Sequence, residues 1–170
     1  MNVTKFERFL SAARALNEWN VTPLLFGSLG LERRLNTDLQ AEDIDILVPE
    51  VYLHDGWHDL VTLMEEMGYT LYDLHEHAFQ KDGASVAFAA IESLKPFAGV
   101  DISKIPMEET GGAHFLLLDL RDYLRVYTAS SKDGYRADKK HGKDTQKIQL
   151  LKSALNLVDT LDEPSYNKQR

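Results

Sequence analysis

The chain has 170 residues, 44% of them hydrophobic, and carries 27 Asp and Glu against 19 Lys and Arg, a net charge of -8. That length suits one domain with a real core, and that acidity argues against a general nucleic-acid or anionic-membrane surface, because both need basic charge. The chain has no cysteine, which excludes disulfides and thiolate metal centres and makes a cytoplasmic protein the simplest expectation.

Phe6, Phe9, Leu10, Ala13 and Leu16 recur at helical spacing and predict an amphipathic helix over residues 3 to 18. The opening MNVTKFERFL lacks the unbroken apolar stretch of a signal peptide. No apolar run approaches the roughly 20 residues that span a bilayer. LLFG then reads as a short buried strand, and GSLGLERRL as a helix of about two turns, with Ser28 as its N-cap. In AEDIDILVP, Ile44, Ile46 and Val48 alternate with Asp43, Asp45 and Leu47, the pattern of a strand closed by Pro49. Asp55 is placed to cap a helix whose stripe is Trp57, Leu60, Val61, Met64 and Met67, with Gly68 as its stop.

YTLYDL, HAFQK and SVAFAA read as strands, the last two joined by a hairpin turn at KDGA. Residues 92 to 112 are irregular, with GVDIS as a short extended piece. HFLLLD is a further strand. Asp119 then caps a helix with Leu120, Tyr123, Leu124 and Tyr127 on its apolar side, and SSKDGYR is a loop. A last helix from about 138 to 158 places Ile148, Leu151, Leu155 and Val158 on one face, and residues 159 to 170 form a flexible tail. The order predicts an α/β (α+β) fold: one domain over residues 1 to 158, a small mixed sheet backed by helices. Its core spans about 20 to 118, with a C-terminal helical part over 119 to 158.

Two carboxylates on one face of a strand repel each other, and burying them unpaired costs free energy. A divalent cation answers that problem. Mg²⁺ takes one or two carboxylates together with water and substrate phosphates, and two such ions clamp the attacking and leaving oxygens of a phosphoryl displacement. A Gly-Ser turn opening a helix offers free backbone N–H groups to a phosphate. The bland reading of Asp43 and Asp45 is a pair of solvent-facing charges that protect an edge strand from aggregation. His54 with His58, and His75 with His77, have metal-compatible spacings but no third ligand nearby, so zinc is not expected.

The run GSLGLERRLNTDLQAEDIDILV, a Gly-Ser pair followed by an acidic pair on the next strand, resembles the nucleotidyltransferase superfamily of DNA polymerase beta-like proteins. The likeness extends over roughly residues 20 to 155 and is motif-specific in its first part. It implies a nucleotidyltransferase-like fold. The implied reaction is Mg²⁺-dependent transfer of a nucleoside monophosphate from a nucleoside triphosphate, ATP among them, to an unidentified hydroxyl acceptor. Gly27 and Ser28 would then contact the nucleotide phosphates, and Asp43 and Asp45 would hold Mg²⁺.

The family's third carboxylate belongs on the strand SVAFAAI, which has none; Ala87 stands near its place. Asp101 and Glu92 are the nearest acids. Asp101 is the candidate third acid and general base, or else a turn residue. HGKDTQKIQLL resembles the family's closing Lys-Asp helix, which makes Lys143 a candidate nucleotide ligand. Lys140, Lys143 and Lys147 share a helix face that either neutralises a triphosphate or is simply solvated. Arg33 or Arg34 would reach a phosphate or else face solvent.

These lysines belong to a basic segment, residues 132 to 152, with seven Lys and Arg against three Asp; the rest of the chain has 12 basic and 24 acidic residues. The implied partners are a nucleoside triphosphate and a small-molecule or protein acceptor, with a long nucleic acid disfavoured by charge. The missing acid also leaves open a catalytically inactive module that binds nucleotide or a protein, of the toxin–antitoxin type.

Overall fold

A computed structural model describes residues 3–132 and 144–157 of the chain. Its strands are β1 (Leu24–Phe26), β2 (Ile44–Val48), β3 (Thr70–Asp73), β4 (Ala78–Lys81), β5 (Ala84–Ala90), β6 (Met107–Thr110) and β7 (Ala113–Leu116). Its helices are α1 (Lys5–Asn17), α2 (Gly27–Leu35), α3 (Trp57–Glu66), α4 (Leu94–Ala98) and α5 (Leu120–Lys132), and residues 144–157 are also helical. The strands form one mixed sheet in the order β3-β4-β5-β2-β1-β7-β6. β1 and β2 are antiparallel at its centre, while β2–β5 and β1–β7 are parallel. The mixed α/β architecture is the one expected.

Alternation along β2 sorts its residues between two apolar clusters. Ile44, Ile46 and Val48 join Phe79, Val86, Phe88 and Phe115 against Phe9, Ala13 and Leu16 of α1 and Leu60 and Met64 of α3. Leu47 joins Leu24 on the opposite face, under Leu94, Val100, Tyr123, Val126, Tyr127 and Leu151. The C-terminal helices therefore cover only the side of the sheet on which Asp45 also points.

Several boundaries differ from expectation for local reasons. Ser28 is not the N-cap of α2: Phe26 holds that position, extended, and no side chain caps the helix. Asp55 does not cap α3 either, because Gly56 stands at its N-cap. GVDIS is not an extended piece. Asp101 caps a 3₁₀ turn, Ile102–Lys104, by accepting the Ser103 N–H. Around it α4 forms with Pro96 inside its first turn, where a missing N–H breaks no helical bond. Strand β6 escaped the reading because MEET is polar and lies at the sheet edge. Ser130 and Ser131, read as loop, close α5. The expected positions of Lys140, Lys143, Val158 and the tail lie outside the described residues.

Candidate active site

The junction of β1 and α2 sets the geometry. Phe26 is extended, and Gly27 then turns to φ +66° as the first residue of α2. Phe26 pairs with Asp45 across the antiparallel β1–β2 ladder, so the start of β2 lies beside this turn. The Asp45 carboxylate packs on the Cα of Gly27, and any Cβ there would collide with Asp45 Oδ2. Glycine is thus needed for two reasons, the left-handed backbone and the close approach. The first turn of α2 has neither a side-chain cap nor an acidic residue. Its free N–H groups and the positive end of the helix dipole make it suited to an anion.

Asp45 is half-buried within β2, while Asp43 is exposed one residue before the strand begins. Fully buried Ile44 between them keeps the strand in register. The next strand places Ala87 level with Asp45, and Ala78 level with Ala87. Ala87 therefore occupies the row in which the resemblance calls for a third acid.

The two nearest acids are engaged elsewhere. Glu92 accepts the Glu50 N–H through both oxygens, at 2.9 and 3.1 Å. Asp101 accepts from Ser103 N at 3.1 Å and Ser103 Oγ at 2.7 Å, and these bonds, with Lys104 and Lys95 nearby, hold its carboxyl below the usual range. Among the described residues no three His, Cys, Asp or Glu side chains gather so as to hold a metal ion, and Asp101 does not join the Asp43–Asp45 pair in such a group.

The helix over 144–157 contributes a cation instead. Lys147 Nζ donates to Ser28 Oγ at 2.8 Å and lies 5.0 Å from the centre of the Tyr127 ring. This helix is pinned to α5 by Asp144, 2% exposed, which accepts from Ser130 Oγ at 2.9 Å. The Lys-Asp segment thus uses its acid as an anchor, and the lysine one turn on reaches the Gly-Ser turn. Tyr123 of α5 donates to the Gly27 carbonyl at 3.2 Å. By spacing alone, Lys147 belongs to a basic stripe and Tyr123 to an apolar helix face, and neither pattern marks a contact with the turn.

The other singled-out residues serve the scaffold. Arg33 lies over the Phe6 ring, and Arg34 donates to the Leu117 and Leu118 carbonyls. His54 faces Glu50 at 3.4 Å, and His77 packs edge-on to Trp57. A groove of about 760 Å³ lined by Phe97, Arg121, Leu124, Arg125, Lys132 and Leu155, among others, shares no residue with the Gly-Ser turn. No helix among the described residues is long and apolar enough to cross a membrane.

No family model matches the chain. The uncharacterized protein YnaI of Bacillus subtilis (strain 168) is 44% identical over 147 residues, which cover 86% of this chain and 94% of that one. Among solved structures the chain is similar to ANT(2'')-Ia in complex with adenylyl-2''-tobramycin, with 16% identity, 89% and 98% of the two chains covered, and a TM-score of 0.46. It is also similar to TM1012 of Thermotoga maritima, assigned as a nucleotidyltransferase, with 22% identity, 92% and 96% covered, and a TM-score of 0.46. The likeness to both structures is one of fold only.

Proposed function

For this chain, which belongs to the family of the Bacillus subtilis protein YnaI, we propose nucleotidyl transfer from a nucleoside triphosphate to a hydroxyl acceptor. The observation that carries the reading is the Asp45 carboxylate packed on a left-handed Gly27 at the uncapped head of α2. A carboxylate beside an anion-binding turn repels a phosphate unless a cation lies between them.

The donor set fits Mg²⁺: two carboxylates, hard oxygen ligands, beside a turn that takes phosphate. Asp43 and Asp45 would hold the ion, which when bound supplies charge neutralisation and polarises the reacting phosphoryl group. The N–H groups of the first turn and the Ser28 hydroxyl would hold the phosphates. Lys147, already on Ser28, would shift its charge onto the leaving pyrophosphate. The acceptor oxygen attacks the α-phosphorus, the bond to the bridging oxygen breaks, pyrophosphate leaves, and the hydroxyl proton passes to a base. Asp101 takes that proton only by giving up Ser103. A small molecule or a protein hydroxyl suits the acidic chain better than a long nucleic acid.

The test is pyrophosphate release from each nucleoside triphosphate with Mg²⁺ and an acceptor panel. Release lost in Asp45→Asn supports transfer. Binding without turnover across the panel leaves the nucleotide-binding module instead. If no nucleotide raises the melting temperature in the presence of Mg²⁺, both readings fail, because a ligand of the folded state must stabilise it.

A further inference from the structure

Two glycines stand three residues apart in GSLG, and each makes room for one group. Gly27 admits the Asp45 carboxylate. Gly30 admits the phenol oxygen of Tyr123, which together with the Leu25 carbonyl leaves no space for a Cβ there. Tyr123 is 0% exposed, and its hydroxyl reaches past Gly30 to the Gly27 carbonyl at 3.2 Å. Its ring stacks on Tyr127, with centroids 6.0 Å apart and planes at 14°. The face of Tyr127 in turn holds the Lys147 ammonium that is bonded to Ser28. Two consecutive residues of the turn, Gly27 and Ser28, are thus each bonded to the helical layer.

We infer that Tyr123 is a positioning residue of this site, its hydroxyl anchoring the Gly27 carbonyl and so setting where the first turn of α2 stands beside Asp45. Gly27 is the first residue of α2, and its carbonyl also takes the helical bond from the Leu31 N–H. Gly27 has no side chain with which to hold the turn against its neighbours, so the Tyr123 bond is what ties it to α5. Burial pushes the Tyr123 phenol well above its ordinary pKa, so it remains a donor across the working pH range. The consequence for ligands rests on the nucleotide reading above; the geometry does not.

Tyr123→Phe tests this, because it keeps the ring and removes only the hydroxyl. Two readouts are taken: amide hydrogen exchange at Gly30 and Leu31, and affinity for the α,β-methylene analogue of ATP with Mg²⁺. Phe88→Leu, a destabilising change on the opposite face of the sheet, serves as the comparison. Tyr123→Phe is expected to speed exchange at Gly30 and Leu31, whose N–H groups make the first helical bonds of α2, several-fold and to weaken analogue binding roughly three- to tenfold, the effect of losing one hydrogen bond. Phe88→Leu is expected to leave the affinity of the folded protein unchanged.

Exchange at Gly30 and Leu31 no faster than in Phe88→Leu overturns the inference. So does faster exchange with unchanged affinity, which leaves Tyr123 a stabilising role alone. If the wild-type chain binds no nucleotide analogue, the nucleotide reading falls, and exchange at Gly30 and Leu31 alone decides whether Tyr123 positions the turn.

Discussion

The two faces of the central sheet share strands but follow different rules. Beneath α1 and α3 the alternating residues Ile44, Ile46, Val48, Val86 and Phe88 are all apolar and buried. On the other face the same strands present Asp45, Leu47 and Ala87, and the helical layer there carries bonded polar groups: the Tyr123 hydroxyl and the Lys147 ammonium on the Gly27–Ser28 turn, and the Asp144 carboxylate on Ser130 of α5. The first face holds by area removed from water. The second gives up part of that area to hold a carboxylate against a glycine. Stability and chemistry are thereby divided between opposite sides of one sheet, and a substitution should disturb one property or the other according to the face it lies on.

Phe88→Ala should show the largest effect. It empties a fully packed site beside Phe79 and should lower unfolding free energy by about 3–5 kcal/mol, measured by denaturant titration. Its nucleotide affinity, corrected for the folded fraction, should not move; a loss of affinity would erase the division between faces. Asp45→Asn is the mirror case. The amide keeps the shape against Gly27, so the melting temperature should hold within a few degrees. Pyrophosphate release should fall by about a hundredfold or more, the scale of losing one preorganised charge in a phosphoryl-transfer site.

Gly27→Ala should affect both properties. The left-handed backbone alone costs an alanine roughly 1–2 kcal/mol, and the new methyl also displaces the Asp45 carboxylate. Lower stability together with weaker Mg²⁺-dependent nucleotide binding is expected, read by thermal melts with and without ligand. Lys147→Met should be milder. It retains an apolar stem over Tyr127 but removes the cation on Ser28, so nucleotide affinity should drop by about tenfold with steeper salt dependence in the wild type.

How much of this was legible in the sequence depended on distance along the chain. β2 was readable because Ile44, Ile46 and Val48 alternate within five residues, and the turn because Gly-Ser follows an apolar run. β6 was hidden because an edge strand has no need of apolar alternation. α4 was hidden by a proline that its first turn tolerates. The bond from Lys147 to Ser28 spans 119 residues, and that from Tyr123 to Gly27 spans 96. Nothing local in a helix stripe tells a tyrosine that packs from one that also aims a carbonyl. Asp144 looked like one half of a charged pair, and its burial depends on Ser130, which the reading had placed in a loop.

The smallest effect concerns Asp122, a buried carboxylate in the first turn of α5. Burial, and then the neighbouring Asp119, raise its carboxyl above the ordinary value, while Arg125, hydrogen-bonded at 2.6 Å, opposes the rise. A raised carboxyl pKa means that the folded chain keeps a proton the unfolded chain has released. Stability therefore declines as pH climbs from the unfolded value through the raised folded one, and is flat above it. Asp122→Asn abolishes that decline, so its unfolding free energy should depend less on pH in this acid window than the wild type's. Comparing the two by urea titration at successive pH values checks the sign. A wild-type stability that instead rises through this window, and flattens in Asp122→Asn, would mean that Arg125 outweighs burial and that Asp122 belongs with the stabilising ion pairs.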